Sequence, residues 1–121
     1  MKLVGLLDEK ELAAVYTLCD IAVGRAGAGT IFEVAAFGAP SILIPLERRG
    51  GDQPLNAQAY ANSGAAVVIK ESNLTKDSLL GSVEHILTSR EELSIMSQNA
   101  RKFAKIEAGR NLAKILLDLA K

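Results

Sequence analysis

The side chain best suited to ligand chemistry is Glu33, the only ionisable residue between Ala26 and Leu46. It follows the glycine-rich turn RAGAGT, and we expect it just inside the first turn of an apolar helix. A glycine-rich turn that leads into a helix presents free backbone N–H groups and the positive end of the helix dipole, which together bind anions. A carboxylate one turn deeper can accept both hydroxyls of a sugar diol. Phosphate followed by ribose is the order expected of a nucleotide-binding loop.

Within this loop, we predict that the backbone N–H groups of Ala28, Gly29 and Thr30 hold a diphosphate, with the Thr30 hydroxyl as a further donor. Glu33 is predicted to accept the ribose hydroxyls. The loop lacks the GKS or GKT of a Walker motif, and its GAG lacks the third glycine of the dinucleotide fingerprint. The spacing therefore favours a nucleotide or nucleotide-sugar site without specifying which.

A second polar loop, ERRGGDQ (Glu47 to Gln53), follows the next apolar run. The carboxyl ends of strands in open α/β sheets are where ligands bind, so both loops belong at that edge. Asp52, Gln53 and Asn56 carry the groups that meet a sugar's hydroxyls or acetamido group.

The same residues also fit purely structural roles. Gly27 and Gly29 permit close packing of a strand against a helix. Glu33 suits the dipole of a first turn, and Asp52 suits the N-cap of a helix begun by Pro54. The sequence leaves these alternatives open.

Composition narrows the class of protein. With 121 residues, 49% of them apolar, the chain is one soluble α/β domain or part of one. Fourteen basic and fourteen acidic residues leave no net charge to attract nucleic acid. No apolar run is long enough to span a membrane, and no signal peptide opens the chain. The single cysteine, Cys19, fits a reducing cytoplasm and a packing role, and the single histidine, His85, fits a helix surface. One histidine supports neither a metal site nor a catalytic triad, so we expect no metal, no cofactor and no catalytic residue here.

The apolar pattern predicts alternating strands and helices. The predicted strands are Lys2–Leu7, Asp20–Gly24, Ser41–Leu46 and Ala65–Lys70. Five helical stretches are predicted. The first three run from an Asp8 capping box to about Leu18, from Thr30 to Phe37 with Gly38 after it, and from Pro54 in its first turn to just before Gly64. The others run from an Asn73 or Thr75 cap to about Leu87, and as one or two helices from about Arg90 to Lys121.

This alternation predicts a doubly wound parallel sheet of the Rossmann type, with strands buried on both faces. About four strands are too few for a complete domain of this kind. We therefore expect residues 1–121 to be the later part of a larger domain.

Several motifs together resemble a known family. RAGAGTIFEVAAFGAPSILIP, then DQ–x–x–NA, then GAAVVI are similar to the donor-binding half of MurG-like N-acetylglucosaminyltransferases, which have the GT-B fold. The resemblance covers Leu3 to Leu119 and is strongest from Asp20 to Ile69. It implies phosphate contacts at Ala28, Gly29 and Thr30, a ribose contact at Glu33, donor-sugar contacts at Asp52, Gln53 and Asn56, and a backbone contact to uracil near Leu7. The family often has two glutamines where this chain has Asp52 and Gln53.

The resemblance also implies a reaction. The family moves N-acetylglucosamine from UDP-N-acetylglucosamine to lipid I, forming lipid II for peptidoglycan, at the cytoplasmic face of the bacterial membrane. Its lipid acceptor binds an N-terminal domain absent from this sequence, so we expect the chain alone to be inactive. The alternative is a non-catalytic nucleotide-sugar-binding subunit that needs a partner chain, as in the two-chain enzyme of dolichol-linked sugar synthesis. A dehydrogenase fragment is disfavoured by the absent fingerprint.

Overall fold

Three short strands pair in parallel in the computed structural model, which describes residues 5–120. They are β1 (Ala22–Gly24), β2 (Ser41–Leu43) and β3 (Ala66–Val68). The sheet order is β1-β2-β3, and Ile42 is the register partner of both Val23 and Val67. The carboxyl ends of all three strands therefore meet at one edge of the sheet.

Five α-helices surround this sheet. They are α1 (Glu9–Leu18), α2 (Ala28–Ala36), α3 (Gln53–Asn62), α4 (Lys76–Leu87) and α5 (Arg90–Leu119), with a short 3-10 helix at Glu71–Asn73. The predicted capping box at Asp8 is confirmed, and of the two candidate caps for α4 it is Thr75 that caps. Gly38 and Gly64 follow the ends of α2 and α3 with φ of 66° and 85°, a conformation that glycine adopts without strain.

The two faces of β2 bury different cores. Leu43 packs with residues of α2 and α3 and with Ala100 of α5. Ile42 and Ile44 point to the other face, where they pack with Ile86 of α4 and Met96 of α5. Helices on both faces of a parallel sheet confirm the predicted doubly wound α/β fold.

The strands differ from their predicted extent. The predicted first strand lies partly on residues 1–4, outside the described residues, and Gly5 to Leu7 form no strand. The described residues thus contain three strands rather than about four. The predicted burial of every strand on both faces does not hold for β1. It is an edge strand in the described residues, and its Val23 is 48% exposed. Pro45, which lacks an N–H, comes two residues after the end of β2.

The single cysteine and histidine take the predicted roles. Cys19 is half-buried against the core that contains Leu43, its Sγ lies 3.5 Å from the Tyr16 carbonyl oxygen, and burial raises the pKa of its thiol. The His85 side chain is 76% exposed, with Nε2 3.4 Å from a Glu92 carboxylate oxygen.

Candidate functional site

The turn after β1 and the loop after β2 meet at the carboxyl edge of the sheet. The last bond between the two chain segments along the strands runs from Ile44 N–H to the Gly24 carbonyl, over 2.8 Å. Beyond it, Gln53 Oε1 accepts the N–H of Leu46 at 2.8 Å and that of Ala26 at 3.3 Å. The structure thus brings together the two loops that the sequence places at one edge.

The first turn of α2 is open to the outside. Gly27 is its N-cap and forms no side-chain cap, as expected of glycine. The first intrahelical bond runs from Ile31 N–H to the Gly27 carbonyl, over 3.0 Å. The N–H groups of Ala28, Gly29 and Thr30 come before it and have no carbonyl of their own helix to bind. These are the three groups predicted to hold a diphosphate, and α2 begins two residues earlier than predicted.

Glu33 lies deeper in α2 than its predicted structural role requires. It is the sixth residue of the helix, and the first turn contains no acidic side chain. Because a dipole acts within about the first turn, stabilisation of the helix end does not account for this carboxylate. Phe37, four residues after Glu33 on the same helix face, stacks on Tyr16 of α1 with ring centroids 6.0 Å apart, so Glu33 lies on the α1 side of α2. Burial raises the pKa of Tyr16, and the nearby Glu33 carboxylate raises it further.

The α1 side of α2 also contains Thr30. Thr30, Tyr16 and Gly24 line a small cavity of about 50 Å³ between α1, β1 and α2. Since residues three apart lie on one helix face, Thr30 and Glu33 present their side chains in line from the open first turn.

The opposite side of α2 faces α3. Asn56 Nδ2 donates to the Ala26 carbonyl at 3.4 Å, so the two side-chain amides of the first turn of α3 both contact the turn after β1. Asp52 is the N-cap residue of α3 by position, but it has α-helical backbone angles and its side chain forms no cap. The exposed Asp52 carboxylate is therefore not used to start the helix, which weakens its structural explanation.

Two features of this edge are not apparent from the sequence. Arg25, just after β1, donates to the Ile44 carbonyl at 3.2 Å and pairs with Glu71 at 2.8 Å, which joins the ends of all three strands. The second is a cleft of about 690 Å³ between α2, α3 and the far half of α5. Ala28 and Asn56 line one end of the cleft, so it is continuous with the predicted site.

No group of three potential metal ligands among His, Cys, Asp and Glu occurs in residues 5–120. Over the same range, no helix is long and apolar enough to cross a bilayer.

The chain matches known glycosyltransferases. Residues 9–113 match the model of the glycosyltransferase family 28 C-terminal domain. The UDP-N-acetylglucosamine--N-acetylmuramyl-(pentapeptide) pyrophosphoryl-undecaprenol N-acetylglucosamine transferase of Actinobacillus pleuropneumoniae serotype 5b is 32% identical over 92% of this chain and 32% of its own length. The transferase of the same name from Methylococcus capsulatus is 38% identical, over 92% of this chain and 32% of its own. The chain therefore spans about a third of the length of these relatives.

The chain is also similar to solved structures of glycosyltransferases. MurG of Acinetobacter baumannii aligns with a TM-score of 0.70 and 33% identity, over 82% of this chain and 28% of its own. The glycosyltransferase VinC, solved in complex with dTDP, aligns with a TM-score of 0.66 and 25% identity, over 78% of this chain and 22% of its own. The predicted resemblance to MurG-like transferases is confirmed, and these relatives lend no support to a separate binding subunit or a dehydrogenase. The chain belongs to glycosyltransferase family 28 and corresponds to its C-terminal domain.

Proposed function

We propose that this chain is the donor-binding part of a hexosyltransferase that moves N-acetylglucosamine from UDP-N-acetylglucosamine to lipid I, forming lipid II in peptidoglycan synthesis. The observation that carries the proposal is the open first turn of α2, flanked by Glu33 on one side and by side-chain amides on the other. The names of the relatives support the donor and the acceptor, and a neighbour solved with dTDP supports a nucleoside diphosphate at this fold.

The order of groups along the edge matches the order of groups in the donor. In this proposal, the ribose lies on the α1 side, with its diol on the Glu33 carboxylate. The diphosphate lies at the centre, on the N–H groups of Ala28, Gly29 and Thr30. The sugar lies on the α3 side, near Asp52, Gln53 and Asn56.

These contacts give the chain a defined part in the reaction. When the bond from the sugar to the diphosphate breaks, negative charge develops on the UDP leaving group. Backbone N–H groups and the dipole of α2 would stabilise that charge without reorganising. The acceptor and the residues that deprotonate it belong to the rest of the enzyme, which we place at the cytoplasmic face of the membrane as a peripheral protein.

The Glu33 contact can be tested with a cycle of two changes, Glu33→Gln in the protein and 2′-deoxy-UDP in place of UDP. We expect Glu33→Gln to weaken UDP binding by about 1.5–3 kcal/mol in calorimetric titration, because a charge-assisted acceptor is lost. Removing the 2′-hydroxyl should weaken binding to the unchanged chain. The same removal should cost the Glu33→Gln variant much less, since the partner of that hydroxyl is already altered.

The melting temperature separates this role from a structural one. Glutamine is nearly isosteric with glutamate, and Glu33 lies beyond the first turn, so thermal stability should hardly change. Glu84→Gln, at an exposed position in α4, is the matched control and should alter neither quantity. A lower melting temperature with unchanged UDP affinity would remove Glu33 from the site.

A further inference from the structure

The backbone of Ala26 is held on both sides by side-chain amides from α3. Its N–H donates to Gln53 Oε1 at 3.3 Å, and its carbonyl accepts from Asn56 Nδ2 at 3.4 Å. Ala26 is fully buried and immediately precedes Gly27, the N-cap of α2. Its conformation therefore sets the direction in which the open first turn of α2 begins.

Gln53 also holds the second loop. The same Oε1 accepts the N–H of Leu46 at 2.8 Å, so one carboxamide oxygen receives two backbone donors from loops twenty residues apart, following different strands. A carbonyl oxygen has two lone pairs and suits this double acceptance. The pairing along the strands ends at Ile44 and Gly24. Beyond it, Gln53 joins the backbones of the two loops, in addition to the bond from the Arg25 side chain to the Ile44 carbonyl.

A buried backbone N–H costs free energy when it has no partner. The side chain of Gln53 therefore stabilises the two loops by satisfying the N–H groups of Ala26 and Leu46, besides any contact with a ligand. With Oε1 occupied, Nε2 is the group that Gln53 has left to offer to a sugar.

We propose that Gln53 is a positioning residue, which fixes the turn that begins α2 and couples it to the loop after β2. Its consequence for ligands rests on the proposed function: the turn that takes the diphosphate and the loop that takes the sugar move as one unit. Substituting Gln53 then weakens the binding of UDP itself, although UDP lacks the N-acetylglucosamine that Gln53 would contact. A side chain that only touches the sugar would leave UDP unaffected.

Three variants test this coupling. Gln53→Met keeps the length of the side chain and removes both polar atoms. Gln53→Glu keeps an oxygen acceptor in place and removes the donor. Gln58→Met is the matched control, because Gln58 is exposed on the same helix and its amide donates within that helix, to Asn62 Oδ1 at 2.8 Å.

The first measurement is amide hydrogen exchange in the chain without nucleotide, so it does not depend on the proposed function. In Gln53→Met, we expect the N–H groups of Ala26 and Leu46 to exchange about tenfold faster or more, and in Gln53→Glu to return close to the original rate. The N–H of Ile69, bonded to the Leu43 carbonyl at 2.9 Å, should be unchanged, which distinguishes a local release from general destabilisation. Unchanged exchange at Ala26 and Leu46 would overturn the proposal.

The second measurement is UDP affinity by calorimetry. Gln53→Met should bind UDP about tenfold more weakly, because the free energy of about one hydrogen bond is then needed to hold the turn in its binding conformation. Gln58→Met should bind UDP with the original affinity. Faster exchange at Ala26 with UDP affinity within twofold of the original would also overturn the proposal, since the turn would then not need to be held. If the original chain fails to bind UDP, the proposed function falls, and the exchange rates alone decide whether Gln53 fixes the turn.

Discussion

The helices of this chain begin in two different ways. Three of them have side-chain caps, from Asp8 in α1, Thr75 in α4 and Ser89 in α5. The two helices that start at the carboxyl edge of β1 and β2 have none: within residues 5–120, no side chain caps α2 or α3. A cap satisfies the free N–H groups of a first turn from within the protein. Among the α-helices of residues 5–120, this stabilisation is therefore missing only at the two that start where we place the nucleotide sugar.

The largest expected effect comes from giving α2 the cap that it lacks. Gly27→Asp places a carboxylate at the first turn, and the space is free: an added Cβ would meet only Thr30 Oγ1, at 4.0 Å. We expect UDP binding to weaken by about 3 kcal/mol or more, because like charges about 4 Å apart repel strongly near a protein surface. Stability should rise slightly, since aspartate caps better than glycine by a few tenths of a kcal/mol.

A neutral side chain at position 27 distinguishes the effect of charge repulsion from the effect of filling the first turn of α2. Gly27→Ser also fills the first turn but carries no charge, so its loss of UDP affinity should be smaller, about 1 kcal/mol. Paired calorimetry and thermal melts of the two variants give both quantities. Undiminished UDP binding by Gly27→Asp would mean that the uncapped turn is not the diphosphate site.

The next effect concerns how α3 is held without a cap. Its Tyr60 is fully buried and packs edge-on against Phe103, with ring centroids 5.0 Å apart. Burial raises the pKa of Tyr60 well above its ordinary value of 10. Above pH 10 the unfolded chain loses this proton and the folded chain keeps it, so the free energy of unfolding should fall by up to about 1.4 kcal/mol per pH unit.

Tyr60→Phe isolates this contribution in urea unfolding from pH 8 to 11. The decline above pH 10 should become shallower, with a residual slope from Cys19 and Tyr16, whose pKa values are also raised, chiefly by burial. Near neutral pH the variant should be more stable by roughly 1 kcal/mol, because the Tyr60 hydroxyl is buried with no hydrogen-bond partner in the described part of the chain. An equally steep decline in the variant would contradict the assignment.

The smallest effect is expected where the cap is present. Thr75 Oγ1 accepts the N–H of Ser78 at 3.0 Å, and Thr75→Ala removes this bond. We expect a loss of about 1 kcal/mol in the free energy of unfolding, with unchanged UDP affinity. A matching loss of UDP affinity would show that UDP binding follows overall stability. It would then contradict the claim that the uncapped helix starts, and not the capped ones, bind the nucleotide.

Much of the fold follows from the sequence because its signals are local. Apolar runs give the strands, and the caps at Asp8 and Thr75 give two helix starts. The strand lengths do not follow, since pairing depends on the neighbour: β1 is an edge strand, and β2 ends before Pro45. The helical stretch from Arg90 was predicted as one or two helices, and it is the single helix α5, which continues beyond the core through the exposed residues 111–119.

The candidate site divides in the same way. The free N–H groups at Ala28 to Thr30 were predicted from the glycine-rich turn RAGAGT, although α2 begins two residues earlier than predicted, with Gly27 as its N-cap. The double acceptance by Gln53 and the pairing of Arg25 with Glu71 depend on how separate loops meet across the sheet edge. Residue types suggested a sugar contact for Gln53, but only the structure shows that its oxygen is already occupied.

The most direct test of the central claim is a titration of the isotope-labelled chain with UDP, followed through its backbone amide resonances. We expect large, saturating shifts at Ala28, Gly29 and Thr30, all with one dissociation constant, because phosphate oxygens accept from those three N–H groups. The capped first turns should provide the internal reference: the amides of Glu11 and Ser78, already bonded to Asp8 and Thr75, should stay in place. Absent shifts at the three open amides under saturating UDP, or equal shifts at the capped ones, would contradict the account.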